Sequence, residues 1–107
     1  MSSVYLVTFR FRPDTYDEAF HRLNDRVREA AESTPGYRGR DYWEDPSSDA
    51  CLVVYYWDSL AALGAFAAHP DHREAKRRWE EWYDGYEVTV SEVVDRYGAG
   101  LDDASEP

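Results

Sequence analysis

The chain has 107 residues, which suits one domain built around one core. Twenty-two acidic residues against 12 basic ones leave a formal net charge of −10. That charge repels phosphate backbones and anionic headgroups, so it argues against nucleic acid and membrane surfaces as partners. Nine Tyr and four Trp supply side chains with large area and a polar tip, suited to pockets and interfaces as well as to cores. The single cysteine, Cys51, lies in an apolar run, forms no internal disulfide and reads as a small buried hydrophobe of a reducing compartment. No basic segment leads into a long apolar one, and the longest apolar run, residues 50–57, is too short to span a bilayer. The expectation is a soluble, cytoplasmic protein.

Residues 4–12 read as a first strand, with Tyr5, Val7, Phe9 and Phe11 on one face and Val4, Leu6, Thr8 and Arg10 on the other. Pro13 breaks it. Thr15-x-x-Glu18 has the capping-box pattern, with Asp14 as an alternative cap, and opens a helix running to about Ser33. Tyr16, Phe20, Leu23, Val27, Ala30 and Ala31 form its apolar stripe. Thr34-Pro35-Gly36 ends it. A weaker second strand covers Tyr37 to Glu44, and Asp45 to Asp49 form a hairpin loop. The third strand, Ala50 to Trp57, is apolar on both faces. Asp58-Ser59 caps a short helix ending near Ala68. Pro70 and Asp71 suit the start of another, predicted to reach Tyr83 with Gly85 as its stop. Tyr86 to about Val94 reads as a fourth strand. Residues 98–107 show no periodicity and are expected to be a disordered tail outside a single domain of residues 1–97.

The order β-α-β-β-α-α-β is the split βαβ, ferredoxin-like arrangement of an α+β fold. It places a four-stranded antiparallel sheet against helices on one face. The third strand is nevertheless apolar on both faces, so the second face needs its own cover. The simplest cover is a second copy packed sheet to sheet, which predicts a homodimer.

Most chemistry-bearing side chains fall between Trp57 and Tyr86. His72, Ala75, Trp79 and Trp82 share one stripe of the second short helix, which turns His72 inward. There it can accept a proton from a phenolic substrate, or be a packed histidine at a helix start. His69 and His72 have no accompanying metal motif, and His69 precedes proline, so it fits a loop or cap role and no metal site is expected. Trp57, Trp79 and Trp82 can wall a flat aromatic pocket or serve as plain core, and Tyr55 and Tyr86 can hydrogen-bond a ligand or fill space. Glu74 with Arg78, Lys76 with Glu80 and Arg77 with Glu81 are spaced for ion pairs along a solvated helix face.

Trp57 closing a strand, Ser59-x-x-Ala62, Phe66-Ala67-Ala68-His69-Pro70-Asp71-His72 and Tyr86-Glu87-Val88-Thr89-Val90-Ser91-Glu92 form a pattern that resembles the antibiotic biosynthesis monooxygenase domain of the dimeric α+β barrel superfamily, over about residues 4–97. The resemblance implies a ferredoxin-like protomer, a homodimer whose sheets form a barrel, and a pocket between sheet and helices. Some members are cofactor-free oxygenases of quinols or anthrones, some degrade haem, and others have different roles. Residue by residue, Trp57 and, more loosely, Arg77 match the family's pattern. The haem-ligating histidine of one branch aligns near Lys76, with His72 a turn away, so haem is disfavoured. The oxygenase branches use an Asn near the pocket, whereas the strand before Trp57 carries Val53, Val54 and Tyr55, and the chain's one Asn is Asn24 in the first helix. The reading is therefore a cofactor-independent monooxygenase acting on a small aromatic or polyketide-type substrate. His72 is its base, and Trp57, Tyr55, Trp79, Arg77 and Tyr86 bind the substrate. The alternatives are a haem protein and a non-catalytic dimer that holds a small hydrophobic ligand.

Overall fold

The structure is a computed structural model that describes residues 4–101. Its elements are β1 (Tyr5–Pro13), α1 (Glu18–Ser33), β2 (Tyr37–Glu44), β3 (Cys51–Trp57), α2 (Leu60–Ala67), α3 (Pro70–Arg77), a 3-10 turn (Trp79–Glu81) and β4 (Tyr83–Glu92). The strands form one antiparallel sheet in the order β2-β3-β1-β4. This is the ferredoxin-like order expected from the sequence. Residues 98–101 carry no regular secondary structure, and the remainder of the predicted tail lies outside the described residues.

Alternation in the strands decides which side chains meet the helices. Val7, Phe11, Cys51, Val53 and Trp57 are buried beneath them, and Trp57 is completely so. From α1, Phe20, Leu23, Ala30 and Ala31 pack down onto the sheet. Tyr16 lies outside the helix but stacks on Phe20 at 3.9 Å. The cap is neither Thr15 nor Asp14. Asp17 has extended backbone and accepts from the Phe20 amide at 2.9 Å. The same carboxylate accepts from the Trp82 indole at 3.1 Å, so the cap also ties down a core residue 65 positions away. These hydrogen bonds, that from Phe20 first, pull the Asp17 carboxyl below its usual pKa.

α2 and α3 start as their sequences suggest. Ser59 accepts from the Ala62 amide, and His69 Nδ1 accepts from the Asp71 amide with Pro70 opening the helix. The end of α3 differs from expectation. It stops at Arg77, six residues before Tyr83, and a 3-10 turn leads directly into β4. The cause is tertiary. Trp82 is 2 % exposed against Phe20 and Leu23, and its carbonyl accepts from the Asp14 amide at 2.8 Å. Tyr83 pairs with Pro13 across a register shift in β1. Gly85 is therefore a strand residue, with the Arg12 guanidinium against it, rather than a helix stop. The charge pairs shift accordingly. Glu74–Arg78 forms at 3.4 Å, whereas Arg77 turns back to Glu74 and Arg78 also holds Glu81.

On the face away from the helices, Leu6, Leu52, Val54 and Tyr56 stay half-buried and Trp43 is exposed. The segment after β4 crosses the edge of this face: the Val93 amide donates to the Val4 carbonyl, and the Arg96 guanidinium lies over the Tyr56 ring.

Candidate active site

A cavity of about 420 Å³ lies between the inner sheet face and the helices. β1 contributes Val7 and Phe9, and β3 contributes Tyr55 and Trp57. β4 adds Tyr86, Val88 and Val90, each open to solvent by a third or more. α1 supplies Phe20, Leu23, Asn24 and Val27, and α2 supplies Leu63 and Phe66. α3 and the following turn bring His72, Ala75, Lys76 and Trp79. The cavity exists because α1 and α2 cover β1 and β3 while the inner face of β4 is left open.

Nine of the twenty described residues lining it are Phe, Tyr or Trp, and most of them are held in stacked, edge-on or tilted contacts. Phe66 stacks on Trp57 at 5.2 Å and meets the edge of His72 at 4.7 Å. Trp79 meets Tyr86 at 5.2 Å. Such contacts fix ring orientations at little conformational cost. The position of α2, which carries Phe66, depends on Gly36. Its φ of +98° lies in the left-handed region, and a Cβ there would stand 2.7 Å from that of Ala62.

His72 is the cavity's proton-active side chain. Burial lowers its pKa from the usual 6.5, hydrogen bonding toward the Ala67 backbone opposes this, and the nearby Lys76 and His69 charges add to the lowering. It is a neutral imidazole at pH 7. Its Nδ1 is buried with no hydrogen-bond partner, as is Nε1 of Trp57 in the same wall. Buried polar atoms are nearly always paired, so these two nitrogens are exceptions, although neither atom is itself open to the cavity. Burial raises the Tyr55 and Tyr83 hydroxyls, which stay protonated and can donate. Among the described residues no group of three His, Cys, Asp or Glu side chains is arranged to hold a metal ion.

Of the sequence candidates, His72, Trp57, Tyr55, Trp79 and Tyr86 all line this cavity. Arg77 does not: it lies on the outer side of α3, pairs with Glu74 and borders only a shallow surface groove. Trp79 arrives from the 3-10 turn rather than from the helix. The structure adds Asn24, Phe66 and Lys76. The signal for Asn24 was present in the pattern, since it follows Phe20 by four residues and Leu23 by one, at the margin of the apolar stripe. Cys51 stands apart, buried and free, with the Tyr42 hydroxyl 3.3 Å from its sulfur.

Residues 7–91 match the sequence model of the family described as monooxygenase af470-like. The uncharacterized protein YqjZ of Bacillus subtilis is 28% identical over 90 residues, covering 83% of this chain and 78% of its own. Among solved structures, SnoaB of Streptomyces nogalater, a cofactor-independent oxygenase, superposes with a TM-score of 0.71 at 13% identity, over 87% of this chain and 95% of its own. A dimeric ferredoxin-like protein of unknown function from Thermobifida fusca gives a TM-score of 0.64 at 14% identity, over 85% and 92% of the two chains. At these identities the structural likenesses establish the fold.

Proposed function

The chain belongs to the monooxygenase af470-like family, within the antibiotic biosynthesis monooxygenase-like group, and from that premise we propose that it oxygenates a small aromatic, polyketide-type quinol or anthrone without a bound cofactor. The observation that supports this reading is His72, a neutral, half-buried imidazole lining a cavity rich in aromatic rings.

The chemistry asks little of the protein. An anthrone or quinol has an acidic proton, and His72 takes it. The anion left behind is electron-rich and reduces O₂ by one electron, and the radical pair joins as a carbon-bound peroxide. His72 returns its proton to that peroxide, which loses water to leave a carbonyl. One oxygen atom enters the substrate, the other leaves as water, and the substrate is the reductant. The protein must hold the rings flat, keep bulk water from the anion and offer hydrogen-bond donors to it. Trp57 and Trp79 suit the first task, the apolar wall the second, and the Asn24 amide with the Tyr55 and Tyr86 hydroxyls the third.

The test is oxygen consumption with anthrone and quinol panels by the wild type and His72→Gln. Loss of a general base lowers turnover by about 10²- to 10⁴-fold. No turnover on either substrate class, or equal turnover by the variant, refutes the assignment. A saturable Soret shift on adding hemin would replace it with a haem-binding role for His72.

The same reading includes a homodimer through the outer sheet face. Leu6, Leu52, Val54, Tyr56 and Trp43 give that face an apolar centre, and the dimeric Thermobifida fusca protein has the same fold.

A further inference from the structure

Lys76 is the chain's single lysine, and it stands on the rim of the cavity, where the cavity wall meets the outer groove beside Arg73 and Arg77. Helical spacing would satisfy it with Glu80, one turn further on. Because α3 stops at Arg77 and the chain tightens into the 3-10 turn, position 80 no longer stacks over position 76. Arg77 pairs with Glu74, Arg78 with Glu74 and Glu81, and Arg26 with Asp71, whereas Arg73 on the same groove has no ion-pair partner among the described residues. Among the described residues Lys76 forms no ion pair. Arg12, Arg40, Arg73 and Arg96 also form no ion pair among the described residues, and what sets Lys76 apart from them is that it lines the cavity.

Its surroundings give that charge a direction. No Asp or Glu lines the cavity. Its other polar groups are neutral amide, phenol and imidazole, so Lys76 makes the site locally positive within a molecule of net charge −10. Four helical residues separate it from His72, a rise of roughly 6 Å along the same side of α3. A ring reacting beside His72 would therefore present a side arm near the ammonium group.

We propose that the substrate is an aromatic anion: a fused-ring phenol bearing a carboxylate, its rings against Trp57 and Trp79 and its carboxylate on Lys76 at the rim. The ring chemistry rests on the monooxygenase reading. Lys76 is a specificity residue, selecting the charged substrate that the acidic surface would otherwise repel.

Rhein and chrysophanol test this directly, since they share a dihydroxyanthraquinone frame and differ in a carboxylate against a methyl. Quenching of tryptophan fluorescence reports their binding to the wild type, Lys76→Met and Lys76→Arg. Lys76 is exposed, so each variant should fold as the wild type does. The wild type is expected to favour rhein, and Lys76→Met to weaken rhein by roughly fivefold, the upper range for a partly exposed ion pair. Chrysophanol should change by less than about twofold, Lys76→Arg should keep the preference, and added salt should shrink it. Equal losses for both ligands, an unchanged rhein affinity in Lys76→Met, or no binding of rhein overturns the proposal. Oxygen consumption with the corresponding anthrones separates the two readings. Oxidation without charge preference removes only the role of Lys76, and charge preference without oxidation removes only the reaction.

Discussion

Gly36→Ala measures how firmly the cavity wall is held. Two costs act at this position. An L-residue at a φ of +98° leaves its allowed regions, at about 1–2 kcal/mol. The new Cβ would also stand 2.7 Å from Ala62 Cβ. That atom is rooted on the backbone of α2 and cannot rotate away, so the helix itself must shift, an overpacking cost of about 1–3 kcal/mol. The sum of about 2–5 kcal/mol corresponds to a fall in Tm on the order of 10–30 °C for a domain of this size. Thermal unfolding by circular dichroism reads the total, and Ala62→Gly divides it. Placed with Gly36→Ala, it removes the clash but not the dihedral strain, so the double variant should be more stable than the sum of the singles by about 1–3 kcal/mol. Because α2 carries Phe66 against His72, ligand affinity should fall in Gly36→Ala and recover in part in the double variant. Additivity of the two substitutions within about 0.5 kcal/mol would refute the close-contact argument.

Three further outcomes are expected. His72 has a lowered pKa when folded and takes its proton more readily when unfolded, so stability is lost as pH falls below 6.5; kcat/KM of anthrone oxidation should likewise drop on the acid side, and the wild-type limb should be absent from the residual activity of His72→Gln. Trp82→Ala removes a side chain that is 2 % exposed and should cost about 3–5 kcal/mol in urea unfolding, far more than Asp17→Asn, which keeps an oxygen to accept from Phe20 and Trp82. Leu52→Asp or Val54→Asp places a charge in the centre of the outer sheet face and should shift the mass found by light scattering from two chains to one; a wild type that is already monomeric at micromolar concentration would remove the dimer.

Legibility in the sequence followed the range of the forces involved. The strands and α1 were readable because alternation and the Phe20–Leu23–Ala30–Ala31 stripe are local records of a shared buried face. The third strand is apolar on both sides, which reads as a second face in need of cover, while its place beside β1 within the sheet comes from the structure. His72 could be placed toward the cavity from its spacing to Ala75, both within the part of α3 that stays helical. The end of α3 could not be read in the same way. Residues 78–83 have the composition of a continuing helix, with acids and bases at helical spacing, and nothing local opposes it. What opposes it is distant: the Trp82 indole reaches Asp17, the Trp82 carbonyl takes the Asp14 amide, and Tyr83 pairs with Pro13. Those three contacts pull the chain out of the helix a turn and a half early.

That early exit shapes the site. A helix continuing to Tyr83 would have carried Lys76 and Glu80 as a neutral surface pair. Ending at Arg77, it leaves Lys76 on the cavity rim without its acid and brings Trp79 round to meet Tyr86. The contacts that bury Trp82 under α1 thus also set the charge of the cavity and one of its aromatic walls. The core and the site are not independent here. A substitution at Asp17 or Trp82 that let α3 extend would be expected to weaken anion binding at Lys76 even though neither residue carries a positive charge.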